Sequence, residues 1–521
     1  MHAKKPSIRG RRIWPFAAAA GVVSAGAFLA AAELVALIVA REASPILAVG
    51  SFVIDIVPRW AKEFAIETFG SNDKPFLLLS LAVAVVVAAA VAGVIEYVRP
   101  PLGAALIVVA GALSVVATVT RSSAGALASL PGIVGIIVGA TLLYLTARRL
   151  RAWRDHLREP DAASAAIDRR GFFRLTAIAG AAALVVGVGA RVANAATSSV
   201  TALRAALKLP APGKKVIVPA GAELRIPGIS PLFTPNKDFY RVDTALTVPS
   251  IDPATWRLKI GGMVDKPVEI GFDELLRMGL DEYAITLTCV SNEVGGNLAG
   301  TAKWLGIPVR DLLRTASPTS GADMVLSRSM DGFTASTPLS SLTDPKLDAI
   351  LAVGMNGEPL PLEHGFPVRM IVPGLYGYVS ATKWLTELKV TTFAADQAYW
   401  TPRGYSAKAP IKLSSRIDTP RLDKSIPQGA TKIAGVAWAQ TVGIGRVDVR
   451  IDQGDWQRAT LSTAVDDDTW VQWFLDWTAE SGTHYVTVRA TDKNGKVQDD
   501  QRRPIAPNGS TGLQRTLISV A

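Results

Sequence analysis

The chain has 521 residues, a formal net charge of +11, 49% hydrophobic residues and a single cysteine, Cys289. That length allows several domains, one cysteine excludes an internal disulfide, and no compact Lys/Arg stripe with interleaved aromatics points to nucleic acid. The positive excess sits largely in short loops beside apolar segments, the pattern of membrane topology.

Residues 1 to about 195 are rich in Ala, Val, Leu and Gly. A helix of about 20 apolar residues spans a bilayer, and five stretches qualify: 13–40, 75–98, 102–120, 129–147 and 172–191. The basic start "HAKKPSIRGRR" and the basic loop before residue 171 are separated by an even number of crossings. Both therefore face the cytoplasm, and the fifth span carries the remainder of the chain to the extracytoplasmic side of the cell membrane. Residues 41–74 are too apolar for a plain loop and read as an interfacial or re-entrant segment. The run "IDRRGFFRL", with Arg169 and Arg170, has the form of a twin-arginine export signal opening the fifth segment. Glu33 and Glu96 lie near segment ends, where an interfacial position accounts for an acid. None of the four histidines (His2, His156, His364, His484) falls in an expected span, so no haem is expected there. The spans show no paired charges or broken helices, which argues against a transporter.

From 197 to 215 the chain is a connector. "SIDPATWRLKIGG" reads as a turn and a strand, and "GFDELLRMG" as a short capped helix. "YAITLTCVSN" alternates and then meets a loop, which puts Cys289 at a strand end, where loops carry function. From about 410, "TKIAGVAWAQ", "GRVDVRID", "WVQWFLDW" and "HYVTVRATD" are short alternating strands, the pattern of an immunoglobulin-type β-sandwich. The expected organisation is a helical membrane domain (1–195), a linker (196–220), an α+β domain (221–408) and a C-terminal immunoglobulin-like sandwich (409–521).

Two stretches carry the chemistry: "TLTCVSNEVGGNLAGTAKWLGIPVRDLL" (286–313) and "HGFPVRMIVPGLYGYVSATKWLTEL" (364–388). Cys-x-x-Asn, Trp-x-Gly, His-Gly-x-Pro-x-Arg, Pro-Gly and Lys-Trp occur in that order. Together they resemble the molybdenum-cofactor domain of the sulfite oxidase family. "TPNKDFYRVDTALTVPSIDPATWRLKIGG" fits that domain's opening strands, and "GVAW" fits a strand of the family's immunoglobulin-like dimerisation domain. The resemblance runs from about residue 221 to the C-terminus and leaves out the helical half.

Molybdenum cycling between two oxidation states needs a protein anchor, and thiolate is a suitable soft donor. The resemblance makes Cys289 the metal ligand and implies one molybdopterin. His364, Arg369 and Lys383 would hold the pterin and its phosphate, with the backbone around Thr382 close by; an arginine can grip phosphate through two parallel hydrogen bonds. Arg241 in "FYRVD" matches an arginine near the metal, Tyr405 in "WTPRGY" matches an active-site tyrosine, and Asn236 matches a pterin-facing position. From composition alone, Arg369 and Lys383 would be solvated surface charges.

The departures bear on substrate. Sulfite oxidases of animals and plants have Ala-Gly-Asn-Arg-Arg after the cysteine, one arginine binding the anion; here the run is Val290-Ser291-Asn292-Glu293-Val294. "AWAQTVGIGR" places no further arginine in register. Each lost charged hydrogen bond is worth about 1.5–3 kcal/mol. The expected activity is two-electron oxygen-atom transfer on a small oxo-anion or S-oxide-type molecule, with sulfite disfavoured. No haem domain is recognised, so electrons would pass through a separate carrier, a cytochrome or the quinone pool. The family's dimerisation domain makes a homodimer one expected state. The alternative is a cofactor-free membrane scaffold that keeps the fold.

Overall fold

The computed structural model describes residues 13–39, 49, 73–119, 127–156, 162–194, 198–245 and 247–521. The chain divides into two compact units: residues 1–198 with 245–247, and residues 199–244 with 248–521.

The first unit is helical: α1 (Trp14–Val39), α2 (Asp73–Val98), α3 (Leu102–Val119), α4 (Leu130–His156) and α5 (Ala162–Asn194). Four of these, over Trp14–Ala36, Leu79–Val98, Leu102–Val119 and Leu130–His156, are long and apolar enough to cross a membrane. The fifth expected span, 172–191, lies inside α5, which is not one of those four. Its early turns carry Arg169, Arg170 and Arg174, so the arginine pair sits within the helix and not in a loop before it. The expected segment at 41–74 lies almost wholly outside the described residues.

α1 packs against α2, α4 and α5. Where α1 meets α2 the backbones touch: a Cβ on Gly21 would stand 2.0 Å from the Ala89 carbonyl oxygen, and one on Gly93 2.1 Å from that of Ala17. Small residues permit such approach between membrane helices. Phe16, Trp153, Phe172 and Phe173 join α1, α4 and α5 through ring contacts of 5.5–6.4 Å between centroids. Large apolar residues such as Leu79, Leu113, Ile137 and Leu184 point outward and are more than half exposed. Glu96 is fully buried, and one of its carboxylate oxygens accepts the Ala104 N–H at 2.9 Å. It thus caps the first turn of α3 across the Pro100–Pro101 bend.

The second unit opens with a short helix, α6 (Ser198–Ala206), and has two sheets between Arg257 and Thr391. One runs β2-β1-β10-β5-β6, from β1 (Arg257–Gly262), β2 (Val268–Gly271), β5 (Met324–Ser329), β6 (Thr334–Pro338) and β10 (Leu385–Thr391). Its pairs are antiparallel except β1 with β10. The other runs β3-β4-β7-β8, with β9 also on β7: β3 (Asp281–Thr288), β4 (Ala299–Pro308), β7 (Ile350–Met355), β8 (Glu358–Pro359) and β9 (Arg369–Ile371). Short helices α7 (Phe272–Arg277), α8 (Val309–Ala316) and α9 (Leu339–Thr343) connect them. α7 is the expected helix of "GFDELLRMG", with Asp273 and Glu274 in its first turn.

Residues from Ser414 onward form two four-stranded antiparallel sheets. The first is β11 (Ser414–Thr419), β12 (Gly429–Trp438), β16 (Val471–Ala479) and β15 (Thr460–Leu461). The second is β14 (Gln457–Arg458), β13 (Ile444–Ile451), β17 (Gly482–Asp492) and β18 (Gln514–Val520). Val447, Val449, Trp473, Val486 and Val488 fill the core with almost no exposure. The sandwich is tied to the preceding sheets through Trp470. Its indole N–H donates to Leu232 O at 2.9 Å, and its backbone N–H donates to the Thr286 hydroxyl oxygen at 2.8 Å.

Candidate active site

β3 ends at Thr288 and delivers Cys289 into a loop that closes on itself. The Cys289 N–H donates to Leu298 O at 2.9 Å, and the Asn292 N–H donates to Cys289 O at 3.0 Å. The Asn292 side chain accepts the Leu298 N–H at 2.8 Å, the physical reason for the Cys-x-x-Asn spacing. A Cβ on Gly296 would stand 2.8 Å from that side-chain oxygen. The β-sandwich clamps the same loop. Arg416 donates to Gly296 O at 2.9 Å and Ser510 to Asn292 O at 2.8 Å. Cys289 is buried, with the Ser291 N–H 3.4 Å from its sulfur. Burial pushes the thiol pKa up, against the Ser291 hydrogen bond and the Lys383 charge.

A cationic end lies beside it. His364 closes a 3₁₀ turn, Leu362–His364. Gly365 reverses the chain at φ +110°, and a Cβ there would lie 3.0 Å from Arg369 Cβ and 3.1 Å from Lys383 Cβ, so only glycine fits. Arg369, at the start of β9, donates to His364 O at 3.1 Å and Ala381 O at 3.3 Å. Its guanidinium lies 5.2 Å from the Trp304 ring centroid. Its buried Nε has no hydrogen-bond partner among the described residues. Lys383 donates to Asp243 at 2.8 Å and Glu363 O at 3.0 Å. Trp384 comes next at φ 50°, an uncommon conformation for a bulky residue, held by its indole N–H on Leu362 O at 2.8 Å.

Burial sets the protonation of this end. The His364 pKa falls to about 4, through burial first and then Arg369 and Lys383. Lys383 falls to about 8 by burial, against the Asp243 carboxylate. Arg369 falls to about 10 by burial. His364 Nε2 contacts Asn236 O at 3.2 Å, so the neutral ring carries its proton there and leaves Nδ1 as an acceptor.

An aromatic end completes the cavity. Tyr378, Trp400, Tyr405 and Phe333 line it, with centroids 5.6 Å apart for Tyr378–Tyr405 and 5.2 Å for Trp400–Tyr405. Val290 packs in the same cluster, directly after the cysteine.

The structure thus brings Cys289, His364, Arg369, Lys383 and Tyr405 to one cavity. Arg241 lies next to it, bonded to Asp243 at 3.1 Å and 41% exposed. Asn236 and Thr382 do not line it. The Asn236 side chain meets Glu358, Met355 O and Asn356, and only its carbonyl serves His364. Thr382 is fully buried, with its hydroxyl 2.7 Å from that of Ser327. Sequence reasoning missed Tyr240, Asp243 and Ser329, all lining residues; Asp331, near the segment that the resemblance places at the pterin but not among the expected site residues, lines the cavity too. Asp243 was within reach: it stands two residues after Arg241, and the two side chains pair at 3.1 Å.

Residues 245–400 match the family described as "Oxidoreductase molybdopterin binding domain". Human mitochondrial sulfite oxidase is 30% identical over 322 residues, covering 52% of this chain and 58% of that protein. The sulfite oxidase of Drosophila melanogaster is 31% identical over 308 residues, covering 50% and 52%. The NADH nitrate reductase of Volvox carteri is 35% identical over 177 residues, covering 29% and 20%. The chain spans less than two thirds of the length of these curated relatives. Among solved structures, the sulfane dehydrogenase SoxCD from Paracoccus pantotrophus is 24% identical, with a TM-score of 0.49 over 55% of this chain and 81% of that one. The cavity suits the group this family name implies. Its orphaned Arg369 Nε and Ser329 hydroxyl call for a polar, anionic ligand, and its one thiol suits a soft metal. Residues 245–400 are therefore a molybdopterin-binding oxidoreductase domain, within a chain similar to sulfite oxidases over about half its length.

Proposed function

We propose that the chain is a membrane-anchored oxidoreductase that carries out two-electron oxygen-atom transfer on a small molecule, with its catalytic domain on the extracytoplasmic side. The observation that carries this reading is one cavity holding the lone buried thiol beside Arg369 and Lys383. Bound there, molybdopterin would supply the two-electron couple and the exchangeable oxygen. The residues of this chain would do the rest. Cys289 would give up its proton to become a metal ligand, since metal binding selects the thiolate. Arg369 and Lys383 would hold the phosphate. Neutral His364 would offer Nδ1 to a ring N–H, while Asn236 O fixes its orientation. Arg241 and Tyr405 would face the substrate side, and the backbone at Thr382 would approach the pterin.

Supporting the anchored reading, α2, α3, α4 and α5 each expose several large apolar side chains. α5 would then be the fifth span, and Arg169–Arg170 the twin-arginine signal that moves the folded domain outward. Arg148, Arg149 and Arg151 at the end of α4 fit the inner side. The C-terminal sandwich would be immunoglobulin-like and would serve dimerisation, and electrons would be exchanged with a cytochrome or the quinone pool.

The test is the molybdenum content of the purified, detergent-solubilised chain from a molybdopterin-competent host, beside Cys289→Ser. Near one metal per chain, lost in the variant, is expected. Well-folded protein without molybdenum overturns the proposal and favours a cofactor-free scaffold.

A further inference from the structure

We propose that the cavity selects an uncharged oxo compound with a flat aromatic body, such as an aryl sulfoxide or a heteroaromatic N-oxide, and disfavours oxyanions. This inference rests on the molybdopterin reading above and adds the class of substrate.

The first argument is charge. Arg369, Lys383 and the adjacent Arg241 are the cations of the site, and His364 stays neutral near pH 7. Two carboxylates, Asp243 and Asp331, share the same cavity. Asp243 is 4% exposed and engages Lys383 at 2.8 Å and Arg241 at 3.1 Å. Its single negative charge is therefore shared between those two cations and offsets half of their charge. A phosphate monoester brings about −1.5 to −2 charge. With a phosphate-bearing pterin bound, the site reaches neutrality or falls below it before any substrate arrives. A dianion entering such a site meets repulsion that low local polarity strengthens. Glu293, which stands where the resembled family has an arginine, is exposed and does not line the cavity.

The second argument is shape. The wall next to Cys289 is Val290 with Tyr378, Trp400 and Tyr405, whose rings meet edge to face. Phe333 lines the cavity as well and packs on Tyr399 with centroids 5.8 Å apart. Tyr378 gives its hydroxyl proton to Ser406 O at 2.6 Å, so that ring offers an oxyanion no donor. An aromatic body gains contacts beyond simple area burial, since rings pair favourably in stacked and edge-on arrangements.

The experiment uses the full-length chain in detergent, loaded and oxidised, with molybdenum content measured first. Calorimetric titration compares methyl phenyl sulfoxide with sulfate; neither reacts with the oxidised enzyme. The sulfoxide should bind at least tenfold more tightly than sulfate. Trp400→Ala should weaken the sulfoxide about tenfold and leave sulfate within twofold. Asp243→Asn should improve sulfate about tenfold and leave the sulfoxide within twofold. Sulfate binding as tightly as the sulfoxide, in chain carrying one molybdenum, overturns the inference and leaves the molybdopterin reading standing. Folded chain without molybdenum removes that reading and this inference with it.

Discussion

The two units solve the problem of buried polarity in opposite ways. In the helical unit close contact is made by removing side chains: Gly21 and Gly93 let α1 and α2 meet backbone to backbone, and the buried Glu96 serves a backbone N–H. In the β-rich unit, charged side chains go inside and are held by many partners. Arg416, with its side chain 9% exposed, binds Asp418 at 2.6 Å and reaches Ser230 and Gly296 as well. A helix bundle can thus be loosened by adding atoms, whereas the β-rich unit is loosened by taking one partner away.

Breaking that contrast on the β side should have the largest effect. Arg416→Ala leaves the buried Asp418 without its cation, with only the Ser230 N–H still donating to it, which costs about 3–5 kcal/mol. A drop in the melting temperature of the detergent-solubilised chain, together with faster amide exchange at 290–298, measures it. A change under about 1 kcal/mol, the scale of an exposed pair, would mean that the clamp on the cysteine loop is not structural.

The next effect is one of pH. Folding lowers the His364 pKa from its ordinary 6.5 to about 4. Between those values the unfolded chain binds a proton that the folded chain refuses. Stability is therefore highest above pH 6.5 and falls as the pH drops towards 4. The loss is about 3 kcal/mol at roughly 1.36 kcal/mol per pH unit. Cofactor-free His364→Gln should lose that part of the slope, seen by comparing melting curves from about pH 4 to 7.

The smallest effect belongs to the helices. Gly93→Leu places a side chain against the Ala17 carbonyl, and overpacking of this kind costs about 1–3 kcal/mol. The melting temperature should fall while any molybdenum content per folded chain stays the same. Loss of the metal would show that the two units are coupled.

Legibility divided along the same line. The four apolar helices, the strand that carries Cys289 and the C-terminal strands are local patterns, and periodicity marks them. Helix ends were less legible. α4 continues to His156, beyond the expected limit at 147, because Arg148, Arg149 and Leu150 are good helix formers. α5 begins at Ala162, ahead of its arginine pair, for the same reason. In the site, Cys289, His364, Arg369 and Lys383 stand in dense motifs. Asp243 does not: its role comes from Lys383, 140 residues away. The Asn236 side chain is engaged by Glu358 and Asn356, more than 100 residues away, contacts that no local pattern records.

The clamp on the cysteine loop also sets an order of assembly. Gly296 O waits for Arg416, 120 residues later, and Asn292 O for Ser510, 218 residues later. While the ribosome is still making the sandwich, the cysteine is present but its loop lacks both outer fastenings. The finished pocket is thus a late product of synthesis, and a cofactor that needs it must be loaded after translation has passed Ser510.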